Sequence, residues 1–195
     1  MPRPTPGEND ASLAADLGIP TLFGVSGLRV AISGGGSGIG AMMAAGFVRN
    51  GCDVFIFSRK DASGYAAELT SVGPGTCTAV QADVLRSEQL DAVLAAVGPT
   101  CDVLINNAAT NYNVPLERFT PEIFSKVVAV NLTAHFAITR AFVPLLRAAA
   151  AASGRPARVI NVSSIEGLAP GAMETYAYSS SKAALIMLTR HLATR

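Results

Sequence analysis

The stretch LRVAISGGGSGIG, residues 28–40, decides how this chain is read. Its first half, LRVAIS (28–33), is short, apolar and bounded by glycine, the pattern of a buried β-strand. Its second half puts five glycines into the seven positions 34–40. Glycine weakens helix and strand alike, so such a run serves close approach to the backbone rather than stability. Beyond it, GIGAMMAAGFVRNG (38–51) places Ile39, Met42, Met43, Gly46 and Phe47 on one helical face, with Gly51 as a stop signal. The unit is strand, glycine turn, helix.

The same alternation continues outward. DVFIFS (53–58), TCTAVQA (76–82), DVLINN (102–107) and ARVINVSS (157–164) read as further strands. Helical patterns fall at 61–72, at 87–97 with Ser87 as a cap candidate, at 120–152 and at 175–195. Thr120 caps the long helix and Pro121 takes its first position. Strands separated by helices predict an α/β fold, a doubly wound parallel sheet of Rossmann type with helices on both faces. One such domain spans 22–195. Residues 1–21, rich in proline, glycine and acidic side chains, are expected to form a flexible arm.

Hydrophobic residues make up 50% of the chain and charged residues 15%, against about 25% charged in an average globular protein, so much surface must be buried. A net charge of +1 without a basic run argues against nucleic acid as a partner. Cys52, Cys77 and Cys101 are odd in number and lack a CxxC, so they read as buried, reduced thiols of an intracellular protein, with no metal site. No apolar run approaches the roughly 20 residues of a membrane span, so no membrane partner is expected. The N-terminus lacks a signal-peptide layout, and Glu8, Asp10 and Asp16 disfavour a mitochondrial signal. The expected location is cytoplasmic.

A glycine-rich turn between the first strand and first helix of such a sheet is a place for phosphate. The pattern G-x-G-x-x-G/A threads onto Gly36, Gly38 and Ala41. A tight turn with close helix–strand packing explains the same glycines. No GK[ST] follows, which disfavours a nucleoside-triphosphate loop. A NAD site places Asp or Glu about 20 residues on, against the ribose hydroxyls. Ser58, Arg59 and Lys60 stand there instead. Arginine and lysine attract a 2′-phosphate, which points to NADP, a solvated basic loop being the alternative.

Tyr178 and Lys182, spaced i, i+4, share one helical face. A nearby ammonium favours the phenolate and makes tyrosine a usable acid or base near neutrality. Tyr176 lacks this partner, because its i+4 residue is Ser180. Asn106 and Asn107 end the fourth strand, and Ser163 and Ser164 the fifth, at the sheet edge that carries the glycine turn.

Taken in order, these motifs resemble those of the short-chain dehydrogenase/reductase family over about 22–195. The family's TGxxxGxG matches SGGGSGIG at Gly34, Gly38 and Gly40, with Ser33 for threonine. Asp83 and Val84 match its adenine contact, and NNAA matches its NNAG at Asn106 and Asn107, with Ala109 for glycine. Asn131 in VNLT, then Ser164, Tyr178 and Lys182, match its catalytic set. The resemblance implies that NADPH gives a hydride to a carbonyl carbon. In that scheme Tyr178 protonates the oxygen, Ser164 orients the carbonyl, Lys182 holds the nicotinamide ribose and tunes Tyr178, and Asn131 supports a water relay. It further implies cofactor contacts at Gly34, Ser37, Gly38, Ile39, Gly40, Ser58, Arg59, Asp83, Val84, Asn107, Tyr178 and Lys182. NADP-dependent members often carry a basic residue where Ser37 stands, so NAD is not excluded.

The segment 144–185 looks most like rhamnolipid-type 3-oxoacyl-acyl-carrier-protein reductases and their fungal relatives, implying a ketone, 3-oxoacyl or secondary-alcohol substrate. The family's sixth and seventh strands and substrate-covering helices have no counterpart in these 195 residues. A non-catalytic dinucleotide-binding or interaction protein is therefore the alternative reading. Relatives assemble through the helices matching 120–152 and 175–195, so a homo-oligomer is expected. His135 and His191, without partners at metal spacing, read as helix-surface or interface residues.

Overall fold

The structure, a computed structural model, describes residues 22–194; the arm expected over 1–21 lies outside the described residues. Five parallel strands form one sheet: β1 (Arg29–Ser33), β2 (Asp53–Ser58), β3 (Thr76–Gln81), β4 (Val103–Asn106) and β5 (Arg158–Asn161). Their order is β3-β2-β1-β4-β5. β1 is central because four of its five residues are fully buried, so both faces must be covered. The chain turns outward on opposite sides of β1, toward β2 and toward β4, which opens a crevice at the C-terminal ends of β1 and β4.

The alternating pleat sorts the core into two layers. Ala31, Phe55, Phe57 and Leu104 face α3 (Ser87–Val97) and α5 (Ala134–Ser153). Val30, Ile32, Val54 and Ile56 face α1 (Gly38–Arg49) and α2 (Ser63–Val72). Phe142 of α5 stacks on Phe57 at 6.3 Å and is fully buried, a placement that contributes about 1.5–3 kcal/mol. The remaining helix, α6 (Tyr176–Leu192), packs on β5. Ile160 on β5 is 43% exposed.

Several local expectations are corrected. The most deeply buried face of α1 is Gly40, Ala44 and Val48; of the expected face, Met43 and Phe47 pack against the core from its flank, whereas Ile39 and Met42 do not. Small residues let this helix approach the sheet closely, and Ile39 and Met42 are left 63% and 74% exposed. The helix expected over 120–152 comprises α4 (Pro121–Val128), a π turn (Ala129–Thr133) and α5. As expected, Thr120 caps it, its hydroxyl accepting the Ile123 N–H at 3.4 Å. Joined, Pro121–Ser153 is long and apolar enough to cross a membrane by length and composition, contrary to expectation. Its buried face nevertheless carries Asn131, His135 and Thr139, each hydrogen-bonded within the domain. Ser87 is the first helical residue of α3 rather than its cap. β5 ends at Asn161, so Ser163 and Ser164 lie in the turn beyond it.

Candidate functional site

The glycine turn is stapled to the end of β4. The buried Ser33 hydroxyl accepts the N–H groups of Asn107 (2.9 Å) and Ala108 (3.1 Å). The Asn107 amide donates back to the carbonyls of Ser33 (3.1 Å) and Gly34 (3.2 Å). Gly40 lies so close beneath the turn that a Cβ there would strike the Gly34 carbonyl. A Cβ on Gly36 would come within 2.8 Å of the Ala62 methyl. Gly38 differs: it faces open space, and only its φ of +54° calls for glycine. Close packing therefore accounts for some of these glycines, and an open approach remains at Gly38. Ser37 precedes α1 in extended conformation and makes no side-chain cap, so the first-turn N–H groups of α1 have no side-chain partner there.

A cleft of about 600 Å³ runs from this turn across the ends of β2, β3 and β4. It is lined by Gly34, Ser37 and Ile39, by Ser58 and Arg59, by Asp83 and Val84, and by Asn107, all singled out in the sequence. Gly38 and Gly40 shape the turn without lining it. Lys60, read with Arg59 as a 2′-phosphate contact, also lines the cleft, as do Asp61, Tyr112 and Lys126, which were not anticipated. Arg59 and Lys60 are exposed, and among the described residues neither has a carboxylate within ion-pair distance. The neighbouring Asp61 carboxylate is occupied by the Ser63 N–H and hydroxyl, both at 2.9 Å, and these bonds lower its pKa. The Lys126 ammonium lies 5.6 Å from the Tyr112 ring centre.

The second half of the site is built on α6. Lys182 is 1% exposed; its Nζ donates to the Val162 carbonyl at 2.7 Å and lies 5.6 Å from the Tyr178 ring centre. Burial lowers its pKa from 10.5 to about 8. The turn after β5 lies flush on this helix. Ser163 donates to the Lys182 carbonyl at 2.9 Å, and a Cβ on Gly167 would meet the same backbone at 2.8 Å. Ser164 begins a short 3₁₀ turn (Ile165–Gly167), its Oγ accepting the Glu166 N–H at 3.2 Å. Among the described residues the hydroxyl proton of Ser164 has no acceptor and is left to donate.

Asn131 and His135, one helical turn apart, hold the loop after β4. The Asn131 amide accepts the Thr110 N–H (2.8 Å) and donates to the Thr110 carbonyl (3.0 Å) and the Ser181 hydroxyl (3.1 Å). It thus reaches the neighbour of Lys182. His135, expected at a helix surface or interface, is 1% exposed inside the domain, and its Nε2 meets the Ala108 carbonyl at 2.8 Å. A carbonyl only accepts, so Nε2 carries the proton. The unbonded Nδ1 is buried without a partner. Burial is the main cause that lowers the His135 pKa to about 4, and the Lys182 charge adds to it. The sequence signal that could have found this residue is its i+4 spacing from Asn131.

A mononucleotide-sized cleft at the switch point of a doubly wound sheet, together with a Tyr178–Lys182 pair on α6 that does not itself line the cleft, defines a dinucleotide-dependent class of protein. The profile described as short chain dehydrogenase matches residues 29–195, and the chain belongs to that family of NAD(P)-dependent oxidoreductases. It is 39% identical over 176 residues to the rhamnolipids biosynthesis 3-oxoacyl-[acyl-carrier-protein] reductase of Pseudomonas aeruginosa, covering 88% of this chain and 68% of that protein. Among solved structures, the RhlG/NADP active-site complex from Pseudomonas aeruginosa superposes with a TM-score of 0.82 at 35% identity, over 88% of this chain and 68% of that one. An NADH-dependent reductase responsible for alginate metabolism, A1-R′, gives a TM-score of 0.80 at 28% identity, over 87% and 71%. The chain thus spans about two thirds of the length of these relatives.

Proposed function

We propose that this chain carries the cofactor site and proton-delivery residues of an NADP-dependent carbonyl reductase, acting on a ketone or 3-oxoacyl group or on the corresponding secondary alcohol. The observation that carries this reading is the Tyr178–Lys182 pair. A lysine buried to 1% exposure beneath a tyrosine has no packing rationale, because burying an ammonium is costly. The residues present fit a dinucleotide: the turn is open at Gly38, and Arg59 and Lys60 are free for a 2′-phosphate. Asp83, Val84 and Ile39 would flank the adenine side of the cleft, while Gly34, Ser37, Gly40 and Asn107 form and fix the phosphate turn. When bound, reduced nicotinamide supplies the hydride.

The chain's own residues then divide the work. Tyr178 donates the proton to the carbonyl oxygen as negative charge develops there. Ser164, its proton free, donates a hydrogen bond to the same oxygen. Lys182 sets the charge beside the phenol and would hold the ribose of the cofactor. Asn131 holds the loop at Thr110 against α6. In the alcohol-oxidising direction Tyr178 accepts the proton.

Titration of the chain with NADPH and NADH, followed by a carbonyl screen, tests the reading. Saturable binding that favours NADPH, and a loss of about tenfold in NADPH affinity but not in NADH affinity for Arg59→Ala, are the expected results. Equal loss for both cofactors refutes the role of Arg59. Binding without turnover of any ketone leaves a dinucleotide-binding protein. Assembly into a homo-oligomer belongs to the same reading, supported by Phe124, Phe136 and Met187, which are 39%, 46% and 60% exposed on the joined helix and α6. Light scattering tests it. A cytoplasmic location goes with this reading.

A further inference from the structure

On the reading that Ser164 and Tyr178 act on one carbonyl oxygen, their separation must be held, yet they sit on different elements with no direct bond between them. We infer that Glu166 is the positioning residue that locks the Ser164 turn to the Tyr178 helix. Its backbone N–H donates to Ser164 Oγ at 3.2 Å. Its carboxylate Oε2 accepts the Thr175 hydroxyl at 2.6 Å and the Ser179 hydroxyl at 3.0 Å. One residue therefore bonds Ser164 through its main chain and α6 through its side chain.

The helical spacing makes this tie relevant to the chemistry. Residues 175, 178, 179 and 182 follow i, i+3, i+4, i+7, so Thr175 and Ser179 lie on the same stripe as Tyr178 and Lys182. The two hydroxyls bracket Tyr178. The 2.6 Å bond has the length expected of a hydroxyl on a carboxylate. Thr175 is 2% exposed, which shields this bond from competing water. On the other side of the turn, Ser163 and Gly167 rest on the Lys182 backbone. Those two contacts set the turn's height on the helix. Glu166 sets its position along the helix, and so the distance from Ser164 to the Tyr178 hydroxyl.

Three variants test this: Glu166→Ala, Glu166→Gln and the double change Thr175→Val with Ser179→Ala. Two readouts are taken on each, ketone reduction and amide hydrogen exchange. Glu166→Ala is expected to lower kcat by about tenfold or more through misplacement of the reacting groups, with KM for NADPH within about twofold. Glu166→Gln, which keeps an acceptor oxygen, is expected to restore most of kcat. The double variant is expected to reproduce the Glu166→Ala loss, and it replaces that variant if the latter fails to fold. The amide at position 166 is expected to exchange about tenfold faster in Glu166→Ala and to recover in Glu166→Gln. Unchanged kcat and exchange in Glu166→Ala overturn the inference, as does a glutamine variant as impaired as the alanine one. If the parent folds and binds NADPH but reduces no ketone, the functional reading fails, and the exchange comparison still decides whether Glu166 holds the turn.

Discussion

Replacing Lys182 with methionine is expected to stabilise the fold at neutral pH while abolishing ketone reduction. The lysine is 1% exposed, and among the described residues its one hydrogen bond is to the Val162 carbonyl. Burial takes its pKa from 10.5 to about 8, which corresponds to about 3 kcal/mol against the charged form. Methionine fills similar volume without a charge. The sign follows from proton counting. Between pH 8 and 10.5 the unfolded chain binds more protons at this site than the folded one, so the lysine's contribution to stability rises with pH across that window. Below pH 8 the penalty is present in full. Lys182→Met should therefore exceed the parent in unfolding free energy most at pH 7, and the gap should shrink by about 3 kcal/mol toward pH 10.5. Urea unfolding of both proteins at half-unit pH steps measures it. Taking the difference cancels the cysteines and tyrosines that titrate in both. A gap that stays flat from pH 7 to 10.5 refutes the reasoning.

Three further outcomes follow from the same geometry. His135 has its pKa lowered from 6.5 to about 4, so the unfolded chain takes up a proton first as pH falls; stability drops by up to about 3 kcal/mol between pH 6.5 and 4, and His135→Gln flattens that slope in acid-unfolding curves. Gly40→Ala drives a methyl into the Gly34 carbonyl and is expected to cost about 1–3 kcal/mol and to abolish NADPH binding by calorimetry; Gly38→Ala meets open space and costs only about 1–2 kcal/mol of left-handed backbone strain. Burial raises the thiols of Cys52 and Cys77 to about 11 and that of Cys101 to about 12, so a disulfide reagent at pH 8 should titrate none of the three in the native protein within minutes and all three in guanidinium.

The strands and the cleft were legible because buried parallel strands are written as apolar runs, and their ends collect polar residues at one edge. Arg59 could be placed for that reason, whereas Asp83 was placed by the resemblance. The phase of α1 was not legible. Ranking residues by hydrophobicity picks Ile39 and Met42, whereas the distance available over the sheet picks Gly40 and Ala44. His135 escaped because only its i+4 spacing from Asn131 marks it in the sequence; its partner, the Ala108 main-chain carbonyl, leaves no mark there. The π turn at Ala129–Thr133 is equally silent: it shifts hydrogen bonds without changing residue types. Asn131 was found by resemblance, but its grip on both polar atoms of the Thr110 backbone was visible only once the loop was built.

The staple between Ser33 and Asn107 bears on the speed and heat of any binding event. Its main polar groups are already spoken for: the serine oxygen by two amides, and the asparagine NH2 by two carbonyls. An arriving phosphate meets a finished mould. Little backbone freedom remains to be lost on capture, so the ordering cost that weakens many loop-based sites is small here. Association is then governed by diffusion and desolvation rather than by loop closure, and the turn keeps one shape through successive cycles of loading and release.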